Sequence, residues 1–504
     1  MKKLIQDYLE ETASKYPEKV AFVCGDNSIT YSDLRRKAIE IANEILNRNI
    51  DKSPIAIVLD KNIDCIAAFF GVAYSGNFYT LIDVDMPKAR IDKIREVLSP
   101  VLYITDSQHK TIVEEFIQDD NVIEVDDLDA NTNIHNELII NKHSLSTDVL
   151  YVLFTSGSTG TPKGVVTPHK SVTQYIAALS EAYNINHNTV MGNQVPFYFV
   201  MSIVDIYATV RAGATMHIIP KEFFSFPGQL VEYIANHSIN FISWVPSALC
   251  TISALRAFKK ADISCLNTVV FGGEVMPIKH LNLWREALPH TVFINGYGPT
   301  EVTDGCTYYI VNRDFKENES LPIGKPFGNS EILVIDESNC VVEKSSREVG
   351  ELCVRSDSMT YGYYGERQKT DEVFIQNPLN KFYEEKIYRT GDLVTYNEYG
   401  ELVYVGRKDF QIKHMGRRIE LGEIEANVSS ISEIKESCCL YNENKKQIVL
   451  FYSGDINEDD LSDRIATLLP SYMRPNQRIR CDELPKNVNG KIDRTELKNR
   501  IEGE

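Results

Sequence analysis

Tyr151-Val152-Leu153-Phe154-Thr155-Ser156-Gly157-Ser158-Thr159-Gly160-Thr161-Pro162-Lys163-Gly164-Val165 is an apolar run that opens into a loop of hydroxyls and glycines. The apolar residues suit a buried strand, and the loop that follows suits an anion. Glycines let backbone N–H groups approach a phosphate closely, hydroxyls add donors, and Lys163 supplies a point charge. The Walker spacing G-x-x-x-x-G-K-[ST] is absent, which argues against a P-loop ATPase.

On either side of this stretch, short apolar runs alternate with helical patterns, the mark of layered α/β architecture. Residues 53–58 and 101–105 read as strands with a helical stretch at 63–74 between them, and 239–245 reads as a strand feeding a helix near 248–258. The segment 106–148 is polar and acidic and reads as surface excursions. After about residue 405 the elements become shorter and more charged. Residues 437–441 and 447–452 flank the turn Asn442-Glu443-Asn444-Lys445 as a hairpin, and Leu461, Ile465, Leu468 and Leu469 form a helical stripe that stops before Pro470. A small α+β domain therefore closes the chain, with a boundary near 407–409.

Composition narrows the function. The 504 residues are 43% hydrophobic and 25% charged, values of an ordinary globular protein. A net charge of −18 leaves no basic field for a nucleic acid. The opening Met1-Lys2-Lys3-Leu4-Ile5-Gln6-Asp7 turns acidic before any export signal forms, and the most apolar run, 66–74, is far shorter than a bilayer span of about 20 residues. A cytoplasmic protein without a membrane partner is expected. The ten cysteines show no metal-binding spacing and read as reduced thiols, Cys438 and Cys439 on a buried strand.

Four further motifs carry chemistry. Asn295-Gly296-Tyr297-Gly298-Pro299-Thr300-Glu301 offers a flat aromatic face beside a hard oxygen ligand. Tyr388-Arg389-Thr390-Gly391-Asp392 offers a carboxylate able to accept two hydroxyls at once. Gly406-Arg407-Lys408-Asp409-Phe410-Gln411-Ile412-Lys413 is a charged linker, and Leu484-Pro485-Lys486-Asn487-Val488-Asn489-Gly490-Lys491 is a glycine-bearing loop with a terminal cation.

Together these motifs resemble those of the adenylate-forming enzymes, which include acyl-CoA synthetases, luciferases and nonribosomal-peptide adenylation domains. Ile29-Thr30-Tyr31-Ser32-Asp33-Leu34 and Tyr74-Ser75-Gly76-Asn77-Phe78-Tyr79 extend the likeness over nearly the whole chain. The resemblance implies an α/β fold: a large multi-subdomain N-terminal domain of layered sheets and helices at 1–406, a hinge at 407–410, and a small mobile C-terminal α+β domain at 411–504. It implies that Thr155, Ser156, Gly157, Ser158, Thr159, Gly160 and Lys163 wrap the phosphates of ATP, and that Asn295, Gly296, Tyr297 and Thr300 form the adenine site. Glu301 would hold Mg²⁺, Asp392 would take the ribose, and Arg407 and Lys413 would lie on the nucleotide side. Asp409 would be the hinge and Lys491 the adenylation lysine, neutralising charge as the carboxylate attacks the α-phosphate.

Within the family the chain looks most like amino-acid-activating domains and D-alanine:carrier-protein ligases, through Phe197-Tyr198-Phe199 and Asp205-Ile206-Tyr207. Those enzymes follow the aromatic matching Phe199 with an aspartate for the substrate's α-ammonium, whereas this chain has Val200. The other specificity positions carry over as Met201, Val204, Ser243, Val270, Gly272, Gly296, Asp304 and Gly305, a roomy set with one carboxylate. A cysteine that crowds D-alanine is replaced by Gly272. The expectation is an aryl acid such as a hydroxy- or aminobenzoate, whose donor would meet Asp304, with β- or ω-amino acids, D-alanine or a coenzyme A acceptor as alternatives. The implied product is an acyl-AMP, passed to the phosphopantetheine thiol of a separate carrier protein. A non-catalytic nucleotide-binding homologue is the alternative outside enzymes.

Overall fold

The computed structural model describes residues 4–116, 121–128, 144–157, 160–486 and 492–502. The chain separates into two compact units. One comprises Met1–Val84, Ser99–Leu153 and Val165–Lys408; the other gathers Asp85–Leu98, Phe154–Gly164 and Asp409–Glu504. The second unit is thus assembled from three stretches of sequence, two of them far upstream of residue 409.

Three sheets organise the larger unit. A six-stranded sheet runs in the order Val122–Glu124, Leu102–Thr105, Pro54–Val58, Phe78–Ile82, Val149–Thr155, Lys163–Pro168, and its first five strands pair in parallel. Strands buried on both faces read as continuous apolar runs, which is why 149–155 gives no alternation. A nine-stranded sheet holds the parallel neighbours Phe241–Trp244, Thr268–Gly272 and Val292–Tyr297 near one edge. An antiparallel sheet contains Ser330–Ile335, Gly350–Ser356, Lys386–Tyr396, Phe374–Gln376 and Leu402–Arg407.

Local sequence explains the element ends. Helix Tyr31–Asn47 starts where the Thr30 hydroxyl accepts the Asp33 N–H at 3.2 Å, an N-cap written in the Thr-Tyr-Ser-Asp string. Helix Ile63–Tyr74 lies where its pattern placed it and is buried along nearly its whole length. The strand expected over 239–245 is the shorter Phe241–Trp244, and the helix after it is Pro246–Ala254, starting two residues earlier than expected. Proline at the first helical position has its φ preset and no N–H to strand, so Pro246 fixes that start. Arg256, at φ +50°, ends the pattern before Phe258. Within 106–148 the structure forms helix Lys110–Glu114 and strand Val122–Glu124.

The smaller unit carries the hairpin Ile434–Asn442 with Gln447–Gly454, joined in parallel by Gln477–Arg480. Asn442 Oδ1 accepts the N–H groups of Asn444 and Lys445, which shapes the turn its sequence announces. Helix Glu458–Leu468 turns Leu461 and Ile465 into the core. Helices Leu421–Ser429 and Lys88–Leu98 belong to the same unit. Cys438 and Cys439 are both buried on the first hairpin strand, and burial pushes the Cys438 thiol up to about 12, so both remain protonated. Among the described residues no helix is long and apolar enough to cross a membrane.

Candidate functional site

In the larger unit, strand Val292–Tyr297 delivers Asn295, Gly296 and Tyr297 to its C-terminal end, the customary place for ligands in parallel sheets. Asn295 donates its side-chain amide to the Pro322 carbonyl at 2.8 Å, fixing the strand exit. The Tyr297 hydroxyl donates to Asp392 Oδ2, and Arg407 Nη1 donates to Asp392 Oδ1 at 2.6 Å and to the Thr390 carbonyl at 3.0 Å. Asp392 and Arg407 face each other across neighbouring antiparallel strands, so the pairing is built into the sheet register. Their side chains are only 3% and 10% exposed, which makes the ion pair a desolvated one. Burial, reinforced by the Asp392 charge, raises the Tyr297 phenol far above its ordinary pKa and keeps it a donor.

Glu301 follows on the one-turn helix Thr300–Val302 and is fully buried. Its Oε1 accepts the Tyr363 hydroxyl at 2.6 Å, and its backbone carbonyl accepts the Thr360 N–H. Among the described residues no three His, Cys, Asp or Glu side chains gather into a metal cage. A single hard carboxylate fits Mg²⁺, which takes one or two protein oxygens and completes its shell from water and phosphate.

Sequence reading missed Glu351. Its carboxylate receives Arg389 through two nitrogens, Nε at 2.8 Å, together with the Gly391 N–H at 3.1 Å and Lys408 Nζ at 3.0 Å. Burial acts to raise its pKa, but Arg389 and Lys408 overcome it and hold the group charged. Glu351 thereby fastens the strand segment before Asp392 and the residue that precedes Asp409. A Gly-Glu-Leu string in a strand carries no local signal of such convergence.

Of the residues carried over for an acyl pocket, Ser243, Val270, Gly272 and Gly296 fall on three adjacent parallel strands. Ser243 pairs with Val270, and Gly272 with Gly296, in register. A methyl group on Gly272 would stand 2.7 Å from the Gly296 carbonyl oxygen, so that close approach requires glycine. Phe199, Val200 and Met201 precede helix Ser202–Ala212, which holds Val204; Val200 packs against the main core. Asp304 sits at φ +80° and Gly305 follows it. The Tyr175 hydroxyl, from helix His169–Ala182, donates to Asp304 Oδ2 at 2.8 Å, so the protein itself supplies Asp304 with a donor of the kind expected from a substrate. A Cβ at Gly305 would lie 2.5 Å from that hydroxyl, which makes Gly305 a consequence of Tyr175.

In the smaller unit, the glycine-rich stretch that follows strand Val149–Thr155 lies against residues 418–427. Ser156 Oγ donates to the Arg418 carbonyl at 2.9 Å and accepts the Glu420 N–H at 3.1 Å. The Gly157 N–H donates to Glu423 Oε2 at 3.0 Å, and Lys163 Nζ lies 3.2 Å from Glu420 Oε1. Thr155 Oγ1 is buried with no hydrogen-bond partner, an orphaned hydroxyl of the kind a phosphate oxygen satisfies. The loop's donor set thus fits a nucleotide phosphate. Gly160 adopts φ +81°. Asp409 Oδ1 accepts the Gln411 N–H at 3.2 Å, and Lys413 is half-buried on strand Gln411–His414. Ser158, Thr159 and Lys491 lie outside the described residues.

Residues 9–364 match the family model described as AMP-binding enzyme. Bacitracin synthase 1 of Bacillus licheniformis is 30% identical over 504 aligned residues, covering 98% of this chain but 9% of that one. Zwittermicin A synthase ZmaJ of Bacillus cereus is 29% identical, covering 99% of this chain and 95% of its own. The chain spans less than half the length of the first curated relatives it matches, such as 44% of gramicidin S synthase 1. Among solved structures, a holo NRPS protein containing adenylation and PCP domains, bound to a vinylsulfonamide inhibitor, superposes with a TM-score of 0.83 at 22% identity, covering 99% of this chain and 84% of that one.

Proposed function

The chain belongs to the AMP-binding enzyme family, the adenylate-forming enzymes, and from that premise we propose that it activates a carboxylic acid with ATP and passes the acyl group to a phosphopantetheine thiol on a carrier protein. The observation that carries the reading is the buried Asp392, bracketed by Arg407 and Tyr297. A carboxylate pinned between a guanidinium and a phenol is pre-organised to exchange one of these donors for ribose hydroxyls, and the released arginine then faces phosphate.

In the first step the acid's carboxylate oxygen attacks the α-phosphorus, forming the mixed anhydride and expelling pyrophosphate. Lys491 offsets charge developing at phosphorus, and the phosphate loop orients the leaving group. Glu301 would hold Mg²⁺, which would supply further neutralisation of phosphate charge. In the second step the thiol sulfur attacks the acyl carbon and AMP leaves. The solved NRPS protein above joins adenylation to a PCP domain, which supports a carrier as acceptor.

For the substrate we propose an acid without an α-amine, with hydroxy- and aminobenzoates the first class to test. An ammonium buried against Val200, with no carboxylate beside it, would lose on the order of several kcal/mol. The decisive experiment is ATP–pyrophosphate exchange across benzoates, β- and ω-amino acids, D- and L-α-amino acids and short fatty acids. Exchange that requires a benzoate supports the reading; a preference for D-alanine or an L-α-amino acid overturns the pocket assignment. Transfer to coenzyme A rather than to a holo-carrier would overturn the acceptor.

A further inference from the structure

The glycines carried over for the acid pocket do not leave it empty. Ser243 pairs with Val270 and Gly272 with Gly296, and residues two apart on a strand share a face, so these four lie on one face of the nine-stranded sheet. Tyr183, which caps helix His169–Ala182, reaches that face: a Cβ at Gly296 would stand 3.2 Å from the Tyr183 hydroxyl and 3.8 Å from Val270 Cγ1. Tyr175, two turns earlier on the helix, does the same at Gly305, where a Cβ would stand 2.5 Å from its hydroxyl. The room expected from glycine at these two positions is taken by two phenols.

The phenols differ in their partners. Tyr175 donates to Asp304 Oδ2 at 2.8 Å, which holds the carboxylate in place. Tyr183 stands edge-on to Tyr308 and Phe327, with centroids 6.0 and 5.8 Å away, and this packing fixes the direction of its C–O bond. It is only 6% exposed, yet among the described residues no group pairs with its hydroxyl. Buried phenols are ordinarily hydrogen-bonded, so a hydroxyl held in this way points to a ligand. Burial and, after it, the Asp304 charge raise the pKa of Tyr183 and keep it a donor. Asp304 is therefore near enough to act on the phenol, although no hydrogen bond joins the two.

We propose that Tyr183 is a specificity-determining residue, its hydroxyl and the Asp304 carboxylate bracketing one hydroxyl group on the aryl acid. That group accepts from the phenol and donates to the carboxylate. A hydroxyl oxygen does both at once. An aryl amine donates well but accepts poorly, because its lone pair is delocalised into the ring, and an unsubstituted ring does neither. The inference rests on the aryl-acid reading above and narrows it to hydroxybenzoates over aminobenzoates.

Pyrophosphate exchange by the whole chain across the hydroxybenzoate isomers, the aminobenzoate isomers and benzoate tests this through ratios of kcat/KM. In the wild type the best hydroxybenzoate is expected to exceed benzoate and the matching aminobenzoate by about tenfold or more. Tyr183→Phe keeps the ring and removes the hydroxyl, so the ratio of hydroxybenzoate to benzoate should fall by about three- to tenfold, the worth of one hydrogen bond. Its melting temperature should stay within a few degrees of the wild type, since no protein group loses a partner. Tyr183→Val tests the filled space separately and is expected to admit hydroxynaphthoates that the wild type rejects. An unchanged ratio in Tyr183→Phe, a wild type that prefers an aminobenzoate, or a large drop in melting temperature, which would show that the hydroxyl serves the fold, overturns the inference. A wild type that uses only α-amino acids overturns the aryl-acid reading and this inference with it. No exchange with any acid overturns the proposed reaction; calorimetric binding of a hydroxybenzoate and of benzoate to wild type and Tyr183→Phe then decides the inference by the same ratio.

Discussion

Tyr175 and Asp304 are 129 positions apart in sequence and 2.8 Å apart in the structure, and no local pattern announces their meeting. The Asp304 carboxylate was legible as a demand for a donor; the identity of that donor was not, because it depends on how a helix packs over a turn. Removing the hydroxyl with Tyr175→Phe takes one hydrogen-bond donor from the half-buried Asp304 carboxylate, at about 0.5–1.5 kcal/mol. The variant is expected to shift acid preference toward substrates that carry a phenol or aryl amine, read as ratios of kcat/KM in pyrophosphate exchange; unchanged ratios would remove Asp304 from the pocket. Val200→Asp is the complementary change and should raise use of α-amino acids by on the order of a hundredfold, since it restores a partner for the ammonium. A third residue predicts acid behaviour. His169 is 2% exposed and its Nδ1 accepts the Ile5 N–H at 3.2 Å, so burial holds its pKa down to about 4, against the pull of Asp148 and Asp7. The neutral ring is the folded form, so its contribution is complete above about pH 6.5 and fades as pH falls from there toward 4. His169→Gln should flatten the pH dependence of the melting temperature in that window, and an identical slope in the variant would refute the assignment.

At the scale of elements, sequence reading succeeded where the signal is local. The 434–454 hairpin follows from two apolar runs around an Asn-rich turn, and the helix at 458–468 follows from its stripe and the proline beyond it. It failed by two residues at Pro246, where helix geometry begins at the proline rather than after it. It was silent about Glu351, whose four donors come from strand Lys386–Tyr396 and from Lys408 just beyond strand Leu402–Arg407, brought together only by the antiparallel sheet. The phosphate loop falls between these cases: its composition declared an anion site, but its embrace by Glu423 spans 266 positions. The loop's internal fit gives a sharp prediction. With the Thr161 carbonyl oxygen only 2.0 Å from where a Cβ would stand, Gly157→Ala forces the backbone open and displaces the N–H that the proposed function gives to phosphate. Pyrophosphate exchange is expected to fall by about 100-fold or more while the melting temperature moves by only a few degrees. A fully active Gly157→Ala enzyme would show that this N–H takes no part.

At the scale of the whole molecule, the sequence was read as two domains meeting near residue 407, whereas contacts divide the chain into units of which the smaller also contains Asp85–Leu98 and Phe154–Gly164. Segment membership of this kind depends on tertiary contacts, and no composition shift marks residue 85 or 154. The division bears on how a single chain would run two reactions. Phe154–Gly164 and Asp409–Glu504 belong to the smaller unit, while Tyr297, Glu301, Asp392 and Arg407 belong to the larger. If Lys491 serves only the attack on the α-phosphorus, its loss must damage one half-reaction and spare the other. Lys491→Ala is expected to slow acid-dependent pyrophosphate exchange by about 100- to 1,000-fold, the usual cost of removing one group that stabilises developing charge. The same variant, given chemically prepared acyl-AMP and a holo-carrier, should form the thioester within a few-fold of the wild-type rate, because no phosphorus–oxygen bond is then being made to the acid. Equal loss in both assays would mean that Lys491 supports the fold or the carrier's approach instead of the adenylation step. Unimpaired exchange would move the catalytic cation elsewhere, with Lys413 on strand Gln411–His414 the next residue to replace.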